Sequence, residues 1–216
     1  MIKCIVFDLD GTLIDTLKDL GVTTNEILIE YGYSSIEIDK YRYFVGDGIR
    51  KLIERAILEV NGDINLLDEI YNKFTSNYKN KCLRFASLYD GVFELVNTLK
   101  EKGYLLYINT NKNHEIAVKM INNLLPNIFI DVYGDSIDYP RKPNPLIVNR
   151  IKIMNNLNDD EVLYVGDSNV DVFTAKNANI KVVGCKYGFR GEKELLSSGA
   201  DFLISEPLDL LKIINN

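Results

Sequence analysis

Short apolar runs rich in β-branched residues alternate with segments of helical periodicity, and this alternation limits the possible architectures more than any other feature of the chain. Cys4-Ile5-Val6-Phe7 is the first run. It stops abruptly at Asp8-Leu9-Asp10-Gly11-Thr12, as a strand buried on both faces does when it ends in a turn. Runs of the same kind recur at Leu105 to Ile108, Ile128 to Val132, Val162 to Val165, Lys181 to Val183 and Phe202 to Ile204. Helical patterns separate the later runs, at Asn113 to Leu124, Asn144 to Met154, Val170 to Ala178 and Glu192 to Ser198. Asn144-Pro145 reads as an N-cap followed by proline at the first helical position. This order predicts an α/β fold: a Rossmann-like parallel sheet core with helices on both faces and right-handed crossovers.

From about Thr16 to Cys82 the alternation lapses. Leu17, Leu20, Ile27, Leu28 and Tyr31 fit one helical face, Ile49, Leu52, Ile53, Ala56, Ile57 and Val60 a second, and a third helix is expected from Leu66 to Tyr78. The expectation is a core domain at 1–16 and 83–216 with a small α-helical cap domain, 17–82, inserted after the first strand. At 216 residues with 46% hydrophobic and 26% charged, the chain can bury a full core, and disordered or low-complexity classes are excluded. A net charge of -6 argues against nucleic-acid binding. Cys4, Cys82 and Cys185 lie far apart without metal-site spacing, which reads as reduced thiols. With no export signal and no long apolar run, the expected location is cytoplasmic, with no membrane association.

In an open parallel sheet, ligands bind beyond the carboxyl ends of the strands. Polar residues at those ends therefore carry the functional argument. Asp8-Leu9-Asp10-Gly11-Thr12 is the strongest local signal, since D-x-D-G-T arises by chance on the order of 10⁻⁵ per position at residue usages of roughly 5 to 7%. Two carboxylates two residues apart repel unless a cation lies between them or one is protonated. The plainer alternative is a turn whose aspartates cap the next helix. Leu105 to Ile108 runs into Asn109-Thr110-Asn111-Lys112, which offers a hydroxyl and amides at a helix start, suited to a phosphate oxygen. Arg141-Lys142-Pro143-Asn144-Pro145 places a lysine beside a rigid turn, and Val162 to Val165 runs into Gly166-Asp167-Ser168-Asn169-Val170-Asp171, a second acidic pair. Carboxylates, a hydroxyl, a lysine and amides at one sheet edge make a magnesium and phosphate site, because hard oxygen ligands with open coordination suit Mg²⁺.

These four segments, in this order and spacing, resemble the motifs of the haloacid dehalogenase-like superfamily. Phe44-Val45-Gly46-Asp47-Gly48, Tyr89-Asp90-Gly91-Val92, Thr110-Asn111-Lys112, Tyr187-Gly188-Phe189 and Gly199-Ala200-Asp201 are similar to its phosphoglycolate phosphatase branch. The resemblance implies that Asp8 attacks phosphorus, that Asp8, Asp167 and the main-chain oxygen of Asp10 hold Mg²⁺, and that Asp171 supports the metal. It further implies that Lys142 neutralises Asp8 and phosphate, that Thr110 and the amides of Leu9 and Asn111 bind the remaining oxygens, and that Asp10 is the acid and base. The implied activity is hydrolysis of a small phosphorylated metabolite such as 2-phosphoglycolate. Pyrophosphatase, nucleotidase, sugar-phosphate mutase and a non-catalytic phosphate-binding module are the alternatives, and Asp10 disfavours a dehalogenase or a passive phosphate carrier. In the insert, Gly46 and Gly48 give a loop backbone freedom, and Arg50 and Lys51 are the nearest cations for a substrate carboxylate. His114 is expected at the surface, Tyr41, Tyr43 and Phe44 as packing between insert helices, and Leu208, Leu210, Leu211 and Ile214 as a docking face.

Overall fold

Strand β1 (Cys4–Phe7) is buried at all four residues, as befits the centre of a sheet covered on both faces. In the computed structural model, which describes residues 1–214, β1 lies between β4 (Leu105–Asn113) and β6 (Val162–Gly166), parallel to both. Phe7 is in register with Ile108 on one side and Val165 on the other. With β5 (Asp131–Asp135), β7 (Lys181–Cys185) and β8 (Phe202–Ile204), the sheet has the order β5-β4-β1-β6-β7-β8, every pairing parallel. The strand order therefore reverses between β1 and β6. Ligand crevices of open α/β sheets form beyond the carboxyl ends at such a point.

The chain divides into two compact units, Met1–Ile14 with the segment from Leu88 onward, and Asp15–Ser87. The short strands β2 (Ile14–Asp15) and β3 (Ser87–Leu88), which pair with each other, lie where the chain passes between the units. The first unit holds the sheet and helices α4 (Val92–Glu101), α5 (His114–Leu124), α6 (Leu146–Met154), α7 (Asn169–Asn177), α8 (Gly191–Ser198) and α9 (Leu210–Ile214). Among the described residues no helix is long and apolar enough to cross a membrane, and the three cysteines are free and buried.

Three features of this unit depart from expectation, the first being that β4 runs five residues past Ile108 to Asn113, so that Thr110 and Asn111 lie in the strand and not at a helix start. Helix α4 was not anticipated, although it buries Val92, Leu95, Val96 and Leu99 in a regular amphipathic stripe. Strand β5 begins three residues later than Ile128, because Ile130 is exposed while Val132 and Tyr133 are buried. Gly134 lies inside this strand, past the end of the expected run: a Cβ on it would come within 2.7 Å of the Lys112 carbonyl and 2.6 Å of the His114 Cα. The missing side chain lets β4 continue alongside β5 as far as the Asn113 and Asp135 pair, past a register shift.

The second unit holds α1 (Leu17–Glu30), α2 (Ile49–Glu59) and α3 (Leu67–Lys81), with two 3₁₀ turns between them. Leu17, Leu20, Ile27 and Leu28 of α1, Leu52, Ile53, Ala56 and Ile57 of α2, and Ile70, Phe74 and Tyr78 of α3 are buried at helical spacing. Tyr41 and Phe44 pack edge to face, with ring centroids 5.4 Å apart. Tyr43 is 61% exposed, which corrects its expected packing role: at three residues per turn Tyr41 and Phe44 share the inner face and Tyr43 falls off it.

Asp19 is the buried polar anchor of this unit. Its carboxylate accepts from the Phe85 amide at 2.9 Å and the Ala86 amide at 2.7 Å, closing the last stretch of the unit onto its first helix. Asp19→Ala orphans both amides and should destabilise the protein by about 1.5 to 3 kcal/mol, the range for hydrogen bonds to a charged group, whereas Asp19→Asn should lose less. Urea unfolding followed by circular dichroism checks this; equal losses for the two variants would contradict it.

Candidate active site

At the carboxyl end of β1 the Asp8 amide still donates to the Val165 carbonyl, 2.9 Å away, so the side chain is fixed by the sheet before the turn begins. The Leu9 carbonyl then accepts from the amides of Leu13 and Ile14, both at 3.0 Å, winding the chain tightly. Gly11 adopts φ +84°, and a Cβ there would lie 2.4 Å from Asp167 Oδ2. Only glycine meets both demands. The D-x-D-G-T turn and the Asp167 loop are thus packed together at the point of strand reversal.

Asp171 ties the second acidic loop to the lysine. Its Oδ2 accepts from the amides of Asp167 (3.2 Å) and Ser168 (3.0 Å) and from Ser168 Oγ (2.8 Å), forming the capping box of α7. Its Oδ1 accepts from Lys142 Nζ at 2.6 Å. The helix-cap alternative therefore holds for Asp171, which at the same time secures Lys142. Gly166 permits the approach, since a Cβ there would be 2.3 Å from Asp171 Cγ.

Lys142 is buried, and its ammonium also lies 2.8 Å from Asp8 Oδ1 as an ion pair without directed hydrogen-bond geometry. Asn111 fastens the loop carrying it: Asn111 Oδ1 accepts from the Lys142 amide at 2.8 Å and its Nδ2 donates to the Lys142 carbonyl at 3.2 Å. This use of the Asn111 side chain was not foreseen, and no local pattern announces it. Thr110 Oγ1 accepts from the Lys112 amide at 3.3 Å. Leu9, Thr110 and Asn111 are all buried.

Asp10 stands somewhat apart. Its carboxylate takes both oxygens to Lys112 Nζ, at 2.9 and 3.1 Å, a pair whose ammonium is buried and whose carboxylate is partly exposed, and which sequence reasoning also missed. Asp167 Oδ2 accepts from the Phe189 amide at 2.7 Å, and Oδ1 lies 3.4 Å from Thr12 Oγ1. The Tyr187-Gly188-Phe189 turn thus reaches the site as well.

Asp8, Asp167 and Asp171 offer carboxylate oxygens all within 4.8 Å of one another. Together with Asp10 they place four carboxylates against the two ammoniums of Lys112 and Lys142. The uncompensated charge of two, on hard oxygen ligands, is what a divalent cation neutralises, so the residues fit such an ion. Burial, and then repulsion from Asp171, push the Asp8 carboxyl up to about 6 despite Lys142. Burial, and then repulsion from Asp171 and Asp8, hold Asp167 well above the usual carboxylate range. For Lys142, burial pulls downward, but Asp171 and Asp8 prevail and keep it firmly protonated.

Arg50 and Lys51 belong to the other unit. There Arg50 pairs with Asp68 and lies over the Tyr71 ring, 5.8 Å from its centroid, and Lys51 pairs with Glu54 at 2.7 Å. Arg55, not singled out from sequence, pairs with Asp47 at 2.5 Å and donates to the Phe44 carbonyl at 2.9 Å, tying the glycine loop to α2.

Comparison with known proteins agrees with this geometry. Residues 5–185 match the family model described as haloacid dehalogenase-like hydrolase. The chain is 30% identical over 219 residues to a protein named phosphoglycolate phosphatase from Vibrio parahaemolyticus, covering 99% of this chain and 96% of that one. It is 35% identical over 195 residues to a protein of the same name from Rhodobacter capsulatus, covering 88% and 87%. Among solved structures, a haloacid dehalogenase-like family hydrolase from Streptococcus pneumoniae superposes with a TM-score of 0.88 at 25% identity, over 99% of this chain and 98% of that one. With its paired aspartates at the sheet reversal and a family match over most of its length, the chain belongs to the haloacid dehalogenase-like hydrolases.

Proposed function

We propose that this hydrolase is a Mg²⁺-dependent phosphatase of a small, carboxylate-bearing phosphate monoester of the 2-phosphoglycolate type. The observation that carries the reading is the buried cluster of Asp8, Lys142, Asp171 and Asp167 with Asp10 held beside it. Two relatives named phosphoglycolate phosphatase, at 30% and 35% identity, support the substrate class.

Asp8 is the nucleophile. One carboxylate oxygen attacks phosphorus, the ester P–O bond breaks, and the leaving alkoxide takes a proton from Asp10. In the second step Asp10 removes a proton from water, the water oxygen attacks phosphorus, and the acyl phosphate P–O bond breaks, releasing inorganic phosphate and restoring Asp8. Lys142 neutralises Asp8 and the phosphate, and Thr110 with the amides of Leu9 and Asn111 receives the remaining phosphate oxygens. Asp8, Asp167 and the main-chain oxygen of Asp10 would hold Mg²⁺, which when bound offsets the negative charge that separates an anionic nucleophile from an anionic phosphate. Asp171, whose oxygens are already engaged by Lys142 and the α7 cap, supports the ion through those neighbours. The pyrophosphatase, nucleotidase, mutase and passive-carrier readings have no observation that favours them.

The fate of Asp8 and Asp167 with pH gives a direct test of the metal. Both pKa values are raised on folding, so without metal the folded state keeps protons that the unfolded chain has released. Stability of the metal-free protein should therefore fall as pH rises from the ordinary carboxylate range through about 6. Mg²⁺ competes with those protons, so its stabilisation should grow across the same window. Thermal melts with and without Mg²⁺ between about pH 5 and 8 check the sign, and turnover of 2-phosphoglycolate should stop with EDTA. A Mg²⁺ shift that is largest at low pH, or full turnover in metal-free protein, would contradict the reading.

Arg50 and Lys51 are proposed as the cations that choose carboxylated substrates, since exposed ion pairs such as theirs with Asp68 and Glu54 are weak and exchange readily. Arg50→Ala should lose about 1.5 to 3 kcal/mol in kcat/KM on 2-phosphoglycolate and change 4-nitrophenyl phosphate turnover little. Equal losses on both esters would remove Arg50 from recognition.

A further inference from the structure

Apart from completing the charge balance, the Lys112 side chain has no part in the mechanism above, yet it is among the most buried ionised groups in the protein, with 1% of the side chain exposed. We propose that Lys112 is the positioning residue of the acid and base carboxylate, holding Asp10 in the one orientation that both half-reactions use. The inference rests on the reading of Asp10 given above.

Both Asp10 oxygens lie within hydrogen-bond reach of a single Nζ, at 2.9 and 3.1 Å. The terminal torsion of an aspartate is otherwise broad, and a two-point contact fixes it. The cation is itself well fixed. Lys112 lies in the last stretch of strand β4, where the register with β5 shifts between the Asn109–Tyr133 and Asn113–Asp135 pairs, so paired positions hold the stretch at both ends, and a site carried on a strand is more exactly placed than one on a loop. The close approach of Gly134, where a Cβ would sit 2.7 Å from the Lys112 carbonyl, belongs to the same extension. The backbone of Lys112 acts in parallel, its amide donating to Thr110 Oγ1 at 3.3 Å. One residue thus sets both the phosphate-binding hydroxyl and the carboxylate that exchanges protons with the leaving group and water. A buried ammonium stripped of its partner is costly, which keeps the pair closed between turnovers.

Two plainer roles make different forecasts. A lysine that only binds phosphate, or only supports the fold, would matter whether or not Asp10 can exchange a proton. A positioning residue matters only through Asp10. The test is a double-mutant cycle of Asp10→Asn and Lys112→Met, read by steady-state turnover of 4-nitrophenyl phosphate and by mass-spectrometric measurement of phosphate retained on Asp8 after acid quench. Asp10→Asn should slow turnover by about 10²-fold or more and accumulate phosphoenzyme, because this leaving group departs without an acid while hydrolysis lacks its base. Lys112→Met alone should slow turnover by about 10- to 100-fold, as a misplaced catalytic group does, and should also accumulate phosphoenzyme. Combined with Asp10→Asn it should add less than about threefold, because coupled residues are not additive. Lys112→Arg, which keeps the charge and serves if Lys112→Met does not fold, should accumulate less phosphoenzyme than Asp10→Asn and be equally silent in its background. Losses that multiply in the double variant, or a Lys112 variant that retains less phosphate on Asp8 than the wild type, overturn the positioning role. Wild-type turnover by Asp10→Asn would instead overturn the reading of Asp10 on which it stands.

Discussion

A lysine ammonium held out of water between two carboxylates is the contact on which the rest of this site depends. Lys142 Nζ lies 2.6 Å from Asp171 and 2.8 Å from Asp8, and none of the three groups is stable in the interior without the others. Asp171 is placed by its capping box at α7, Lys142 by the two-way clasp of Asn111, and Asp8 by the last backbone bond of β1 to β6. The three anchors lie far apart in sequence and meet only because β1, β4 and β6 are adjacent. Parallel strand order, with its reversal beside β1, is therefore what turns scattered motifs into a site.

The same cluster works against the fold that builds it. Four carboxylates and two ammoniums leave excess negative charge in a buried space, and the raised Asp8 and Asp167 values express that conflict. Lys112 and Lys142 offset part of the electrostatic conflict, and glycines around the cluster lessen the steric one. Gly11, Gly166 and Gly188 remove the three Cβ atoms that would otherwise collide with Asp167 and Asp171. Local rules are commonly broken at functional sites and compensated elsewhere. Here the remaining compensation is the divalent cation that the oxygen set fits, which makes binding and function parts of one energetic balance.

Much of this was legible in the sequence, for identifiable reasons. Strand β1 shows as a buried run ending in acid because its neighbours cover it on both faces, and the end of β6 shows for the same reason, whereas β4 runs five residues past Ile108 because polar residues there disguise a buried strand. What escaped were relations that only the tertiary structure creates. Lys112 follows the Thr110 motif like an ordinary surface lysine, and nothing nearby marks its partner 102 residues away. The Asn111 clasp on Lys142 and the closure of Phe85 and Ala86 onto Asp19 are equally nonlocal. Strand β5 begins later than its apolar run suggests because Ile130 faces solvent, and it runs on through Gly134, whose missing side chain lets two backbones approach. Helix α4 was the avoidable miss, since its apolar stripe is regular. Arg50 was legible as a cation but not in its pairing with Asp68.

The central claim is that Asp8, clamped by Lys142 and flanked by Asp167, carries the phosphoryl group between substrate and water. Its most direct test is rapid acid quench of the Mg²⁺-loaded enzyme during turnover of 4-nitrophenyl phosphate, followed by peptide mapping of the bound phosphate. Phosphate should be found on Asp8, and Asp8→Asn should abolish both labelling and turnover. Phosphate on Asp10, or sustained turnover by the Asp8→Asn protein, would contradict the mechanism.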